Sequence, residues 1–432
     1  MTLSGRPHIV EHTTCRVCGH GPLVPVLSLG EQYAVGFWER ADETGIQAPL
    51  DLVFCDPAAG GCALLQLRHT LDHDLLYRRY WYRSAISTTM VEALRDVARA
   101  VEERAGLRPG DVVVDIGCND GTLLRQYTVQ GLDKIGFEPS NLWTLAKQPG
   151  AQIIHDYFRA DPFVALRGEQ RARAITSIAM FYDLENPNTF VRDICTCLAP
   201  DGLWVVQMNY LGLMLENATF DNISHEHLEY YSLLAMEHLL RRHGLEVTDV
   251  ELNDVNGGSF RLYISRSGRG VGSVPGAAER LAQLRAHERA AGLHRLETFR
   301  AFERRIQEIR RQVREILQAE RSAGHRVYIY GASTRGLVVL QYMGVTSELV
   351  PLAVDKNPDK TGRYIAGTGI RVISLDEYRA NPPDLLWVLP YQFRAEIMQQ
   401  EAEYLRRGGR MLFAIPKVEV VGAAELKARE AS

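Results

Sequence analysis

The chain has 432 residues, enough for about three domains of ordinary size. Its net charge is −4, and its hydrophobic and charged fractions, 46% and 24%, are those of an ordinary globular protein. These values exclude a wholly disordered chain, and the lack of a basic excess argues against nucleic acid as a partner. No run of about 18 apolar residues suggests a membrane span, and the N-terminus shows no secretory pattern, so we expect a cytoplasmic protein.

Four of the seven cysteines lie within the first 62 residues. An odd number of cysteines without a secretory signal is typical of the reducing cytosol, so disulfides are not expected. Cys15 and Cys18 have the spacing of one half of a zinc knuckle, and Cys55 and Cys62 form the second pair. Six residues separate the second pair, but they include Pro and Gly and can loop out. We predict a closed, structural zinc site in a module of residues 1–75, with packing cysteines as the alternative.

An aromatic segment follows this module. It contains Tyr80, Trp81, Tyr82 and Ser84. The pattern predicts either a packing seam or hydroxyl groups that line a substrate site. Both interpretations stay open at this point, and we treat the two tyrosines and the serine as candidate substrate-binding residues.

Residues 76–270 alternate short apolar runs with helical patterns, which is typical of a parallel α/β sheet. Five strands are expected, at 112–116, 134–138, 151–154, 174–180 and 203–207. A later pair, 245–252 and 259–266, flanks an Asn-Gly-Gly sequence that favours a tight reversal. Five parallel strands followed by a hairpin are the order found in class I methyltransferases, which have a Rossmann-like fold.

The first of these strands leads through a glycine loop into a helix. Gly117 and Gly121 allow the backbone to approach a ligand closely, and the start of the helix offers free N–H groups. Glu138 ends the next strand, where a carboxylate can accept both hydroxyls of a ribose. Asp115 precedes the first glycine, and its charge suits the ammonium group of S-adenosylmethionine (SAM) better than a pyrophosphate. We therefore predict a SAM site, with a merely structural turn as the alternative.

Six further cofactor residues are assigned from position: Cys118 and Asn119 in the loop, Asp156 and Phe158 around the adenine, and Met180 and Phe181 over the cofactor. Of these, the cysteine is interpreted as a small packing residue and not as a catalytic thiol.

The densest polar cluster of the chain is the segment 220–232. It follows the fifth strand, where substrates of α/β sheets bind. His225 and His227 would share one face of an extended segment, with Glu226 on the other. An imidazole titrates near neutrality, so a general base is our preferred interpretation, and a metal pair or two packing histidines are the alternatives. Glu226 or Glu229 would orient the imidazole.

The remaining chain predicts a long helix and a second nucleotide-type lobe. Residues 271–325 form a helical connector whose apolar residues recur every three or four positions, with an interruption near Gly292. Residues 326–432 begin with another strand, glycine loop and helix. The loop lacks the dinucleotide fingerprint, so a phosphate cradle with Arg335 is preferred to a redox cofactor site. The candidate substrate-binding residues beyond the aromatic segment are Asn209, Asn222, Ser259, Gly331, Ser333, Arg335, Asn357, Lys360 and Tyr391.

Together these motifs resemble the SAM-dependent C-methyltransferases that act on nucleotide-linked, usually dTDP-linked, 4-keto-deoxysugars in antibiotic biosynthesis. The resemblance covers nearly the whole chain and rests on the Cys-x-x-Cys module, Tyr80-x-Tyr82-x-Ser84, the Asp-Ile-Gly-Cys-Asn-Asp-Gly loop, Ile-x-His-Glu-His, Asn256-Gly257-Gly258-Ser259 and Gly331-Ala332-Ser333. It implies a three-part enzyme with the sugar nucleotide in a cleft between lobes, and the C-terminal lobe gripping the diphosphate.

The resemblance also implies a mechanism. His227 would remove the proton beside the C4 ketone, and the enolate would attack the methyl group of SAM. Tyr82, Ser224 or Tyr230 would donate a hydrogen bond to the enolate oxygen. The family usually has Tyr at the position of Ser224, and Trp-Asn-Phe where this chain has Tyr391-Gln392-Phe393. The alternatives are a C- or O-methyltransferase of a non-sugar metabolite and a non-catalytic SAM-binding scaffold.

Overall fold

The computed structural model describes residues 9–34, 36–43, 45–77, 80 and 82–430, so Trp81 and the first eight residues of the predicted zinc module lie outside the described residues. The chain divides into two compact units, each built from three segments. The first unit comprises Met1–Pro25, Val53–Gly212 and Glu226–Leu296, and the second comprises Val26–Leu52, Leu213–His225 and Glu297–Ser432.

The strands of the described residues are, in chain order, β1 (Ile9–Glu11), β2 (Val24–Tyr33), β3 (Phe37–Trp38), β4 (Gln47–Phe54), β5 (Leu65–Leu67), β6 (His69–Leu71), β7 (Val112–Ile116), β8 (Asp133–Phe137), β9 (Ala151–Ile154), β10 (Ala172–Ile178), β11 (Leu198–Asn209), β12 (Glu229–Tyr230), β13 (Leu245–Asn253), β14 (Ser259–Arg266), β15 (Val327–Tyr330), β16 (Leu352–Val354), β17 (Tyr364–Ile365), β18 (Arg371–Ile373), β19 (Leu385–Val388), β20 (Arg410–Phe413) and β21 (Glu419–Val421).

The α-helices are α1 (His73–Tyr77), α2 (Thr88–Ala105), α3 (Thr122–Gln126), α4 (Trp143–Ala146), α5 (Ala160–Arg167), α6 (Pro187–Cys197), α7 (Leu211–Glu216), α8 (Leu233–Arg241), α9 (Ala277–Ala291), α10 (Leu296–Ser322), α11 (Thr334–Met343), α12 (Leu375–Ala380), α13 (Arg394–Gln400), α14 (Ala402–Arg406) and α15 (Ala423–Glu430).

The first unit contains a seven-stranded sheet in the order β13-β14-β11-β10-β7-β8-β9. The five strands from β11 to β9 in that order run parallel, and β14 pairs antiparallel with β11 and with β13. This arrangement confirms the predicted five parallel strands followed by a hairpin. The hairpin reverses through Asn256, Gly257 and Gly258, all with positive φ. Since the carboxyl ends of parallel strands lie at one edge, the loops after β7, β8 and β10 are neighbours.

The core of this sheet is apolar because its strands are buried on both faces. Val113 of β7, Ala174 of β10 and Leu203 of β11 pack with Val97 and Val101 of α2 in one cluster of buried residues. This packing fixes the strands whose ends carry the candidate site.

The second unit contains an eight-stranded sheet in the order β21-β20-β19-β15-β16-β18-β17-β3. The strands β15, β16, β18, β19 and β20 pair in parallel, whereas β17, β21 and β3 are antiparallel. The second Rossmann-like lobe is thereby confirmed.

The predicted interruption of the long helix at Gly292 is also confirmed. Gly292 has a φ of 71° and ends α9, and α10 begins four residues later. The two helices belong to different units, α9 to the first and nearly all of α10 to the second. Within the described part of the chain, no helix has the length and apolarity needed to cross a membrane.

Candidate active site and metal centre

The four cysteines of the N-terminal module come together in the first unit. Their Sγ atoms all lie within 4.8 Å of one another, with 3.6 Å between Cys15 and Cys62 and 3.4 Å between Cys18 and Cys55. Zinc–sulfur bonds of about 2.3 Å in a tetrahedron place the sulfurs about 3.8 Å apart, whereas a disulfide needs about 2.0 Å. The cluster fits a zinc ion, and the structure brings the four predicted ligands together.

The long spacing of the second cysteine pair is absorbed by a compact turn. The short 3₁₀ helix Pro57–Ala59 is capped by Asp56, whose Oδ1 accepts the N–H of Ala58 at 2.9 Å. A Cβ on Gly61 would lie only 2.6 Å from the Sγ of Cys55, so glycine is required at this position. The intervening residues therefore loop out without separating the sulfurs.

The closely spaced cysteine thiols differ in pKa. Hydrogen bonds with Cys15 and Cys62 lower the pKa of Cys55 to about 4, while hydrogen bonds with Cys15 and Cys55 raise the pKa of Cys62. Four thiolates around one zinc ion would fill its coordination sphere and leave no position for water, so the site is structural.

The candidate cofactor loop begins where β7 ends. Gly117, Asn119 and Gly121 have positive φ values of 69°, 54° and 77°. A Cβ on Gly117 would lie 3.3 Å from Cγ of Met180, and one on Gly121 would lie 2.9 Å from the carbonyl oxygen of Ala146. Conformation and space thus both require the glycines, and Met180 lies directly against the loop.

Two buried carboxylates flank this loop. Glu138 follows β8, and its carboxylate accepts the N–H groups of Asn119 at 2.7 Å and Ser140 at 2.9 Å. Asp115, at the end of β7, accepts the hydroxyl of Thr176 at 2.7 Å. Burial raises the pKa of Glu138 and raises the pKa of Asp115 to about 7. A ligand with an ammonium group and ribose hydroxyls would favour both carboxylates, so the residues present fit SAM.

The aromatic segment is fastened to the cofactor loop. The side-chain amide of Asn119 accepts the N–H of Ser84 at 3.1 Å and donates to the carbonyl of Tyr82 at 3.1 Å. The N–H of Tyr80 donates to Oδ1 of Asn141 at 2.7 Å. Tyr82 remains 45% exposed. Sequence analysis treated segment and loop as separate features, and the structure joins them by hydrogen bonds.

Two candidate cofactor residues lie in an aromatic cluster. The ring centroid of Phe158 is 5.1 Å from that of Phe137 and 5.2 Å from that of Phe190. Phe181 has no exposed surface, and its centroid is 5.5 Å from that of Trp204. The assignment of Phe181 to the cofactor is therefore corrected, because a fully enclosed ring packs the core.

The other two position-based candidates have local partners. Asp156 pairs with Arg159 at 2.7 Å. Cys118 is buried, and its Sγ would lie 2.7 Å from a Cβ on Gly136 of β8. Burial raises the pKa of the Cys118 thiol, which fits the packing interpretation.

The backbone that follows His227 is held between the turn after β10 and strand β5 of the N-terminal module. The N–H of Leu228 donates to the carbonyl of Tyr182 at 2.8 Å, and the N–H of Leu67 donates to the carbonyl of Leu228 at 2.8 Å. The ring centroids of His227 and Tyr182 are 4.3 Å apart. Tyr182 comes two residues after Met180, which contacts the cofactor loop, so a three-residue segment connects that loop to the imidazole.

The expectations for the rest of the histidine motif are corrected. His225 and Glu226 lie in a turn and not in an extended segment, so the two histidines do not share a face. His225 is buried, and its Nε2 lies 3.0 Å from the carbonyl oxygen of Ala48, which is the environment of a packing histidine. Glu229 lies 3.8 Å from the guanidinium of Arg16 and pairs with it, so it does not orient the imidazole.

The three candidate donors to an enolate oxygen differ in their surroundings. Tyr82 is exposed, as described above. The hydroxyl of Tyr230 donates to the carbonyl of His227 at 3.0 Å and so helps to hold the histidine backbone. The hydroxyl of Ser224 is buried, with no hydrogen-bond partner among the described residues.

Sequence analysis missed a buried acidic cluster beside His227. Asp183 follows Tyr182, and one oxygen each of Asp183 and Glu226 is buried without a hydrogen-bond partner in the described part of the chain. The hydroxyl of Tyr77 donates to the carbonyl of Glu226 at 2.8 Å. Burial raises the pKa of Glu226 to about 7, and burial with the nearby negative charge of Glu226 raises the pKa of Asp183. The position of Asp183 just after strand β10 could have identified it as a site candidate from the sequence, whereas no sequence feature pointed to Tyr77.

The second unit repeats the strand, glycine loop and helix with different charges. Asp355 follows β16, accepts the N–H of Ala332 at 2.9 Å and forms an ion pair with Lys360 at 3.2 Å. Gly331 has a φ of 87°. Ser333 caps α11, since its Oγ accepts the N–H of the residue three positions on at 3.0 Å.

Arg335 lies in the first turn of α11, and its guanidinium is paired with a carboxylate. Its Nε lies 2.8 Å from Oδ2 of Asp221, and its Nη2 lies 2.8 Å from the hydroxyl of Tyr391. That hydroxyl also donates to Asp221 at 3.3 Å. Asn357 uses its Oδ1 to cap a short turn, where it accepts the N–H of Asp359 at 3.0 Å. A phosphate at this loop would share Arg335 with Asp221, which sequence analysis missed.

The three remaining substrate candidates serve their own turns. Asn209 donates to the carbonyl of Asn256 at 3.0 Å. Ser259 donates to the carbonyl four residues before it at 2.8 Å. Asn222 donates to the hydroxyl of Thr219 at 3.1 Å. Ser259 and Asn222 are buried, so each of these contacts shapes the loop to which its residue belongs.

Matches to known proteins cover nearly the whole chain. Three family models match: "Putative zinc binding domain" over residues 15–77, "Methyltransferase domain" over 88–250 and "C-methyltransferase C-terminal domain" over 254–416. The C-methyltransferase NovU of Streptomyces niveus is 32% identical over 415 residues, which cover 95% of this chain and 97% of that protein.

Two solved structures show weaker likeness. One is the 1,6-didemethyltoxoflavin-N1-methyltransferase of Burkholderia thailandensis, with a TM-score of 0.32 and 16% identity, covering 41% of this chain and 80% of that one. The other is the magnesium protoporphyrin IX methyltransferase of Synechocystis PCC 6803, with a TM-score of 0.32 and 13% identity, covering 41% and 83%.

Proposed function

The chain belongs to the SAM-dependent C-methyltransferases, and from this premise we propose that it methylates the carbon beside the ketone of a nucleotide-linked 4-keto-deoxysugar in the biosynthesis of an antibiotic or a similar secondary metabolite. One observation carries the proposal. Met180 contacts the cofactor loop and Tyr182 contacts His227, so a methyl donor and a base would meet at one edge of the sheet.

His227 acts as the base. A neutral imidazole takes the proton from the carbon next to the ketone, and the electron pair of that C–H bond moves into an enolate. Tyr82 is the exposed phenol of the aromatic segment and donates to the enolate oxygen. When bound, SAM would supply a sulfonium methyl group for transfer to the enolate carbon, and the electrons of the carbon–sulfur bond would stay on sulfur. The ketone forms again, and His227 releases its proton to water.

The chain's own residues position the methyl donor. Asp115 and Glu138 take its ammonium and ribose groups, and the backbone at Gly117 and Gly121 gives it room. A sulfonium needs no acid to leave, so alignment and deprotonation are the main contributions of the site. The zinc ligands hold the N-terminal module and take no part in the reaction.

The nucleotide part of the substrate is assigned to the glycine loop of the second unit. Lys360 and Arg335 supply positive charge beside the free N–H groups at the start of α11, and this combination suits a diphosphate. Asp355 follows the neighbouring strand, at the position of a ribose-binding acid.

The base is tested by isotope exchange without methyl transfer. A dTDP-linked 4-keto-deoxysugar is incubated with the protein in D₂O in the absence of SAM, and exchange at the carbon next to the ketone is followed by mass spectrometry. We expect wild type to catalyse exchange, His227→Ala to lose it, and His238→Gln, altered on α8 outside the site, to retain it. Exchange by His227→Ala at the wild-type rate would remove the proposed base.

The substrate class is tested separately. Methylation of the dTDP-sugar is compared with methylation of small ketones that lack the nucleotide. Equal turnover of both would leave a C-methyltransferase but would refute the nucleotide-sugar assignment.

A further inference from the structure

Arg16 stands between two zinc ligands and is almost completely buried. It follows Cys15 and precedes Cys18 by two positions, and its side chain is 1% exposed. Its N–H donates to the side chain of Gln66 at 3.0 Å, and its carbonyl accepts from Asn188 at 3.0 Å. The metal ligands on both sides therefore fix the backbone position of Arg16, from which its guanidinium extends.

The guanidinium crosses from the zinc knuckle to the strands behind it. Nη1 donates to the carbonyl of Leu67 and Nη2 to the hydroxyl of Thr70, both at 2.6 Å. Nε lies 3.8 Å from Oε1 of Glu229, whose side chain has no exposed surface. This distance is too long for a hydrogen bond, and neither oxygen of Glu229 has a hydrogen-bond partner among the described residues, so the two groups interact through charge. Removing one charge of such a pair leaves the other buried and uncompensated, so each charge depends on its partner.

Glu229 is part of the same short segment as His227. It belongs to β12, which pairs antiparallel with β5 so that Glu229 faces Gln66 and Tyr230 faces Leu65. Leu67 of β5 also holds the carbonyl between His227 and Glu229, as described above. Arg16 thus contacts both β5 and β12, the two strands that fix the backbone on the carboxyl side of the imidazole.

We propose that Arg16 and Glu229 are positioning residues that use the zinc site to set the location of His227. The zinc ligands fix Arg16, Arg16 fixes Glu229, and Glu229 fixes the strand that leaves His227 and keeps its ring against Tyr182. This inference rests on the proposed role of His227 as the base. A displacement of about 1 Å at a reacting group can cost about a hundredfold in rate, so a modest shift of this strand is enough to matter.

The test uses the full-length zinc-loaded protein and three variants: Arg16→Met, Glu229→Gln and the double variant. Four quantities are measured for each: zinc per chain, the free energy of unfolding, the affinity for S-adenosylhomocysteine, and the rate of proton exchange of the dTDP-4-keto-sugar in D₂O. We expect each single variant to keep zinc and cofactor affinity but to lose about tenfold to a hundredfold in exchange rate. The double variant should be no slower than the worse single variant, since the two residues act as one unit.

The matched control is Arg104→Met. It breaks another buried ion pair of the same unit, with Asp249 at 2.7 Å, and does not touch the histidine segment. It should lower stability while the exchange rate of the folded protein stays at the wild-type value.

The outcomes separate this inference from the proposed function. If His227→Ala abolishes exchange while both single variants match Arg104→Met, the positioning role is wrong and the base stands. If zinc is lost or folding fails in both single variants, the pair is a folding element and the inference is also overturned. If His227→Ala exchanges at the wild-type rate, the proposed function itself fails.

Discussion

The two glycine loops of the molecule use the same backbone arrangement with different charges. In the first unit Glu138 accepts the N–H of Asn119, and in the second unit Asp355 accepts the N–H of Ala332 in the same way. Each carboxylate also accepts the N–H two residues on, from Ser140 and from Asn357, and Asp355 in addition forms an ion pair with Lys360. The shared bond shapes the loop, so the surrounding charge decides which ligand the loop suits.

The difference supports the proposed assignment of the two loops to different ligands. A carboxylate satisfied by N–H groups keeps oxygen lone pairs for ribose hydroxyls, and the nearby Asp115 adds negative charge for an ammonium group. A carboxylate beside lysine and arginine lies in a site that suits a diphosphate. Fold alone would not have distinguished the two loops.

The largest effect is expected at Glu138. A hydrogen bond to a charged group is worth about 1.5–3 kcal/mol, and the amide of Glu138→Gln keeps only one acceptor oxygen, so S-adenosylhomocysteine binding should weaken by about tenfold to a hundredfold. Isothermal titration calorimetry measures this loss. Asp355→Asn is the matched variant of the other loop and should leave this affinity unchanged. An equal loss in both variants would break the comparison.

A smaller effect is expected at the lysine of the second loop. Lys360→Met removes a cation and leaves Asp355 unpaired, so binding of dTDP should weaken by about tenfold and depend less on salt. The control is Lys356→Met, which alters an exposed lysine whose nearest carboxylate, Glu396, is 3.9 Å away. If dTDP affinity falls equally in both variants, the effect belongs to net charge and not to the loop.

A pH dependence of cofactor binding sharpens the contrast further. Because burial raises the pKa of Asp115 to about 7, this carboxyl is protonated at pH 6 in the ligand-free protein. The ammonium of S-adenosylhomocysteine favours the charged form, so binding releases a proton and affinity should rise by up to about tenfold from pH 6 to pH 7, then level off. Calorimetry across this range checks the rise, and Asp115→Asn should show a flat profile.

The same raised pKa affects stability with the opposite sign. The folded state holds a proton on Asp115 that the unfolded state releases near the ordinary value of 3.8, so this group's contribution to the free energy of unfolding decreases as pH rises from about 4 to about 7.

The smallest effect is expected at Thr176. Its hydroxyl donates to Asp115, so Thr176→Val should lower the free energy of unfolding by about 1 kcal/mol, measured by urea denaturation. The hydrogen bond lowers the pKa of Asp115, so its loss should also move the pH profile of cofactor binding to higher pH. Thr368→Val removes a buried hydroxyl bound to the carbonyl of Ile365 and is the control. A shifted profile in that variant would contradict the local explanation.

The sequence contained the local features of this molecule. Local patterns were enough to predict strand β7, the glycines after it and Glu138. These patterns are an apolar run, glycines that favour positive φ, and the spacing from one strand end to the next. The grouping of the four cysteines could also be predicted, because the segment between Cys55 and Cys62 contains residues that favour a turn.

The partners of the buried charged residues could not be predicted from local sequence patterns. Arg16 with Glu229 and Arg335 with Asp221 are far apart in sequence, so no local pattern announces them. The turn at His225 had the same cause, because a long-range bond to Ala48 overrides the extended pattern of the motif. Sequence reasoning therefore assigned roles to the neighbours of His227 that tertiary contacts exclude.

Asn119 joins two requirements in one residue. Its N–H binds Glu138, and its side chain holds the backbone at Tyr82 and Ser84. A substitution at this position would therefore disturb both the loop proposed to bind the methyl donor and the backbone of the tyrosine proposed to bind the acceptor. We expect the preference for a methyl acceptor to change more easily through substitution of Tyr82, because its bond to Asn119 is made by the backbone and the glycine loop would stay intact.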